Sequence, residues 1–163
     1  MHSDSLMDNI KNLTLEFITT LLKWLPKTVE KDQPLLEEIL QAYMKFMISV
    51  DDDIDEEWKT PSRGFSIENE EANQDAMAIG VKQIDFLIEG IGQEIMIPLL
   101  MQIVDTYIWE HDWWQKSAAL LVLSQFSEYI MDMAMIDPTV EPVVDLLEHE
   151  HPKVRYAALH CLG

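Results

Sequence analysis

Six of the seven residues from Asp51 to Glu57 are carboxylates (Asp51, Asp52, Asp53, Asp55, Glu56 and Glu57), and Trp58 follows them directly. Like charges at this density repel one another, and the run has almost nothing apolar to bury, so it is expected to form an extended or flexible loop. Its chemistry is a concentrated negative field suited to a Lys- or Arg-rich partner, with an attraction that weakens as salt shortens the ~8 Å screening length. Trp58 is either a contact anchor or a pin that holds the loop to its scaffold. The plainer alternative is a solvated loop that aids solubility. Calcium can be checked directly. Asp51, Asp53 and Asp55 fit the first three ligand positions of an EF-hand, but the sixth position is Glu56 instead of glycine and the twelfth is Ser62 instead of glutamate. Specific calcium binding is therefore not expected.

The other candidate groups carry less. His149, His151 and His160 would need to converge with a further ligand to hold zinc, and no cysteine pair supports them, so surface and packing roles are expected. Cys161 is the single cysteine and follows an alanine stripe, which suggests a buried structural thiol. Gly90-Ile91-Gly92 is half a dinucleotide fingerprint but follows a helical pattern, so it reads as a helix stop. Neither a P-loop nor a GxSxG motif is present. Asn12-Leu13-Thr14 is a glycosylation sequon set in a helical pattern. No cofactor, metal or catalytic residue is expected, and the chain is read as a non-enzyme.

These groups sit in a chain of 163 residues with 30 acidic and 11 basic side chains, a net charge of −19. Such a charge disfavours nucleic acid or an anionic membrane as the main partner and favours basic proteins. No basic segment followed by an apolar run opens the sequence, so no signal peptide is expected, and no apolar window is long enough to span a bilayer. Only 5 glycines and 7 prolines leave few tight turns, which points to helices.

Apolar spacing is helical nearly throughout. Leu36, Leu40, Tyr43, Met47 and Val50 step by three and four, as do Met77, Val81, Ile84, Ile88 and Ile91. Ala119, Leu123, Phe126 and Ile130 form a third stripe, and Ile10, Leu13, Phe17, Leu21 and Trp24 a fourth. Helices are expected at about 6–25, 34–50, 72–91, 95–109, 113–131, 139–148 and 152–163, with no strands. The fold class is all-α. Ten methionines and the aromatics Trp109, Trp113, Trp114, Phe126 and Tyr129 are expected to be mostly core.

The helices repeat. Pro34-Leu35-Leu36, Pro98-Leu99-Leu100 and Pro142-Val143-Val144 each open a similar pattern, and the polar stretch 51–71 accounts for the longer first interval. Asp112-Trp113-Trp114-Gln115-Lys116-Ser117-Ala118-Ala119-Leu120 aligns with His151-Pro152-Lys153-Val154-Arg155-Tyr156-Ala157-Ala158-Leu159. Periods of roughly 40–47 residues with two helices each belong to HEAT and armadillo solenoids. The chain therefore reads as a single HEAT-repeat α-α superhelix of about seven helices, with an acidic insertion at about 51–71. It looks like a piece of something longer, whose uncapped end helices expose apolar surface and could self-associate.

Four stretches resemble the importin-β (karyopherin-β) family of nuclear transport receptors. They are Val50 to Trp58, similar to an acidic loop and tryptophan within one repeat; Pro98-Leu99-Leu100; Glu110 to Leu120; and His151-Pro152-Lys153-Val154-Arg155-Tyr156-Ala157-Ala158. The last is most similar to the importin beta-3 (karyopherin beta-3) branch. Lys116 departs from the family's usual arginine, and Lys59 to Phe65 matches nothing in the pattern. The resemblance implies a curved, non-catalytic scaffold that binds GTP-bound Ran, basic cargo proteins and Phe-Gly nucleoporins while shuttling between cytoplasm and nucleus. It implies that Asp51 to Trp58 contribute to the Ran or cargo surface. It also implies that Arg155 bridges to an acidic residue of a neighbouring repeat, Asp112 or Asp145. A HEAT scaffold of another kind, such as a phosphatase regulatory subunit, is the alternative, and an all-α metal hydrolase using the histidines is a more distant one.

Overall fold

A computed structural model describes residues 2–25, 27, 32–48, 76–130 and 132–163. The described residues form seven α-helices: α1 (His2–Trp24), α2 (Gln33–Met47), α3 (Ala76–Ile91), α4 (Gln93–Tyr107), α5 (Trp113–Phe126), α6 (Asp137–Asp145) and α7 (Pro152–Leu162). No strand is present among the described residues.

Local chemistry sets the boundaries. The Asp32 carboxylate accepts from the Leu35 backbone N–H at 3.3 Å, and Pro34 follows in the first turn, where its missing N–H costs nothing. Gly92 alone separates α3 from α4. Its φ of +110° lies where a side chain would be strained, and its carbonyl accepts the first hydrogen bonds of α4 from Ile95 and Met96. Gly90 lies within α3 instead of ending it. A Cβ there would come 2.7 Å from Cγ of Lys23, so its role is close approach to α1. The proline repeat also needs correction. Pro34 starts α2, whereas Pro98 and Pro142 lie inside α4 and α6, about one turn later in the helix. Each interior proline deletes one main-chain hydrogen bond at the same register.

The helices alternate between two layers. In the first layer α1 packs on α3, α3 on α5 and α5 on α7; in the second, α2 contacts α4, and each second-layer helix packs on the first-layer helix that follows it. Stacking of antiparallel pairs in this way is the α-α superhelix of HEAT repeats. Leu36, Leu40, Met47, Ile84, Leu87, Met96, Leu100, Leu120 and Phe126 form a continuous buried core between the layers. Tyr43 is fully buried, and its hydroxyl donates to the Leu15 carbonyl at 2.9 Å and pairs with the Thr19 hydroxyl, tying α2 to α1. Burial pushes the Tyr43 phenol pKa up.

The α5–α7 contact is the most extensive helix pairing. Ala118, Ala119, Ala157 and Ala158 are all fully buried in these two helices. Such small side chains let backbones come close, and the 39-residue alignment of these segments is thereby a structural repeat. The fourth stripe behaves differently. Ile10, Leu13, Phe17, Leu21 and Trp24 face outward on α1, and Leu15, Thr19 and Leu22 are the buried line. Leu159 and Leu162 are likewise exposed on α7.

Ala158→Leu adds three carbons where there is no room and should destabilise the fold by about 1–3 kcal/mol. Leu159→Ala, on the exposed face of the same helix, should change stability by no more than about 0.5 kcal/mol. Denaturant unfolding of both variants checks the register of α7.

Candidate interaction surface

Three connections lead from a second-layer helix into the next first-layer helix: residues 48–75, 108–112 and 146–151. They begin and end on one edge of the helix stack. The expected binding residues Asp51, Asp52, Asp53, Asp55, Glu56, Glu57 and Trp58 belong to the first connection and lie outside the described residues. What the structure describes are its two anchors, the end of α2 at Met47 and Ile48 and the start of α3 at Ala76.

The second connection is exposed along Trp109-Glu110-His111-Asp112. Trp109, expected in the core, is 68% exposed because it follows the last turn of α4 and points away from both layers. Trp113 is half-buried. It meets Trp114 edge-on at 5.8 Å and lies flat against the His151 ring at 3.9 Å and 8°. That stack joins the start of α5 to the start of α7.

Asp112 and His151 occupy equivalent N-cap positions, but only His151 makes a side-chain cap, its Nδ1 accepting from the Lys153 N–H at 3.2 Å. The His151 N–H in turn donates to Nδ1 of His149 at 3.0 Å. Burial, then the nearby Lys116 ammonium, hold the His149 pKa below its ordinary value of 6.5.

Arg155 does not reach Asp112 or Asp145. Its Nη1 donates to the carbonyls of His149 and Glu150 at 2.7 and 2.8 Å, in the turn that leads into its own helix. Lys116, the equivalent residue of α5, donates to the Ile108 carbonyl at the end of α4 at 3.2 Å. The basic side chain at this register thus caps the preceding helix and turn, where carbonyls lack partners and the helix dipole is negative. Lysine and arginine both serve, which explains why Lys116 is tolerated where the sequence pattern favours arginine.

A further group lies in the first layer. The Tyr129 hydroxyl donates to Asp85 at 2.9 Å, and this bond, with burial and with Glu128 and Glu89 nearby, pushes the phenol up to about 12. Lys23 reaches across from α1 to Glu89 at 3.9 Å and sits 4.2 Å over the Phe86 ring. Sequence reasoning missed this group. Its one visible signal is that Asp85 and Glu89 stand one helical turn apart on the same face of α3.

His160 is exposed on α7 and lies at 6.2 Å from Tyr156, apart from the His149–His151 turn. No three His, Cys, Asp or Glu side chains are grouped to hold a metal among the described residues. Cys161 is half-buried, not fully buried as expected, and lines a small apolar cavity with Leu123, Ile136, Val140 and Val143. Desolvation pushes its thiol up to about 11, far from a thiolate nucleophile. No described helix is long and apolar enough to cross a membrane.

The fold and edge geometry define a HEAT-repeat solenoid, and the HEAT repeat family profile matches residues 140–163. Importin subunit beta-3 of Saccharomyces cerevisiae is 24% identical over 94% of this chain. Among solved structures, Kap121p bound to Nup53p superposes with a TM-score of 0.74 at 22% identity over 93% of the chain, and Kap121p bound to RanGTP with 0.70 at 18% over 97%. The chain spans 14% of the curated relative and 15% and 17% of those two structures. The chain thus has the fold of a HEAT-repeat solenoid, and it is similar in sequence to importin subunit beta-3 over most of its length.

Arg155→Ala should weaken the α6–α7 turn by about 1 kcal/mol, because the two carbonyls lose a charged donor but remain open to water. Arg155→Lys should recover much of that loss, while Asp112→Asn and Asp145→Asn should leave stability near the parent value. Hydrogen exchange at the start of α7 and denaturant unfolding distinguish this capping role from an inter-repeat ion pair.

Proposed function

We propose that the chain is one stretch of HEAT repeats in a nuclear transport receptor, with the acidic segment 51–71 inserted between the two helices of a repeat. In this reading Asp51 to Glu57 form a negative surface for a basic face of GTP-bound Ran or for Lys- and Arg-rich cargo, and Trp58 anchors the contact. The receptor as a whole also engages Phe-Gly nucleoporins, shuttles between cytoplasm and nucleus, and catalyses no reaction. One observation carries the proposal: a run of six carboxylates and a tryptophan lies in the sequence between α2 and α3 of a chain similar to importin subunit beta-3. The structural likeness to Kap121p bound to RanGTP and to Nup53p supports the same class of partner.

Physical chemistry favours it on two counts. A net charge of −19 gives the whole segment a field that attracts cations and speeds encounter. A loop that stays solvated before binding keeps its charges paired with water, so a basic partner gains complementarity without first breaking internal ion pairs.

The test is charge reversal of Asp52, Asp53 and Glu56 to lysine in the full-length receptor, with affinities measured for GTP-bound Ran and for a basic cargo at two salt concentrations. The expected result is a loss of about tenfold or more for at least one partner and a shallower salt dependence. Unchanged affinity for both would contradict the proposed role of the segment.

A further inference from the structure

The start of α7 is held by two imidazoles, and both are engaged through Nδ1 as an acceptor. His149 Nδ1 takes the His151 N–H at 3.0 Å, and His151 Nδ1 takes the Lys153 N–H at 3.2 Å. An imidazole nitrogen accepts only through a lone pair, so each ring carries its proton on Nε2. The His151 ring is also 95% buried and lies flat on Trp113 of α5 at 3.9 Å, so the same side chain that caps α7 packs it on the preceding repeat. The sequence 39 residues earlier achieves the equivalent helix start with Asp112 and no side-chain cap, so the histidines are particular to this junction.

We propose that the His149–His151 turn is a pH-sensitive clasp between α5 and α7, closed when the His149 imidazole is neutral and opened when it takes up a proton at Nδ1. The proton occupies the accepting lone pair, so the N–H that pointed at it loses its partner. The charges around the turn favour the closed form. Lys116 of α5 faces His149, Arg155 of α7 sits on its carbonyl, and Lys153 begins α7 beside His151; Glu148, Glu150 and Asp145 of the turn and of α6 offset them in part. The sign follows from linkage. The His149 pKa is lowered in the folded chain from 6.5, so its contribution is complete above about 6.5. As pH falls below that value the opened form binds the proton first, and the contribution is lost on passing the lower, folded value.

The experiment follows the chain from pH 7.5 to 5.5 by NMR, reading the His151 and Lys153 amides, the imidazole resonances, and the α7 opening equilibrium from hydrogen exchange. Its control is His149→Asn, whose Oδ1 stands in for Nδ1 and does not titrate. The parent chain should show the His151 amide shifting with the His149 imidazole and an opening equilibrium that rises by up to about tenfold per pH unit. In the variant that slope should fall to less than half. A variant slope of half or more overturns the proposal. So does a His151 amide that stays put while the His149 imidazole titrates, a result the parent chain gives by itself even if the variant fails to fold.

Discussion

Close approach of α5 and α7 is the constraint on which this architecture turns. Four fully buried alanines, Ala118, Ala119, Ala157 and Ala158, lie in these two helices, and such small side chains let backbones pack closely. Once the helices are that close, their starts are brought together as well, and Trp113 can lie flat on His151. The same registration places Lys116 and Arg155 one behind the other, each long enough to return to the carbonyls that end the preceding helix or turn. Packing, capping and inter-repeat alignment are thus a single arrangement repeated after 39 residues, and a larger side chain at either alanine pair would disturb all three together.

A solenoid built in this way separates stability from recognition. The core between the layers depends on Leu36, Leu100, Leu120 and their neighbours and contains few polar groups beyond the Tyr43–Thr19–Leu15 link. The connections on the edge bear little of that load, so one of them can hold a long acidic segment without disturbing the stack, since lengthening a surface loop costs little closure entropy. Charge collects where it is solvated. The Trp109-Glu110-His111-Asp112 connection is exposed and shares its acidic and aromatic composition with the sequence Asp51 to Trp58.

Helix positions and three of the four apolar stripes were legible in the sequence because α2, α3 and α5 each have neighbours that cover one defined face. The α1 stripe was misread for a physical reason. That helix has apolar residues on two faces, and periodicity cannot say which face has a partner; Leu15, Thr19 and Leu22 won because Tyr43 and α3 lie there. The paired alanines gave away the repeat, since small residues in register are a packing signal. The destination of Arg155 was not legible, because a guanidinium can pair with a carboxylate or with orphan carbonyls and the nearest acceptors depend on the fold of the turn. The Tyr129–Asp85 bond joins residues 44 positions apart and leaves no local trace. The acidic segment proposed for binding was legible by composition, and the structure adds the ends of α2 and α3 that flank it.

The central claim is that these repeats belong to a receptor governed by the nucleotide state of Ran. It is tested most directly by capturing the folded full-length receptor on Ran loaded with a non-hydrolysable GTP analogue, beside GDP-loaded Ran, at low and physiological salt. The account predicts selective capture by the GTP form that weakens as salt rises. Equal capture by both forms, or none by either, would contradict it.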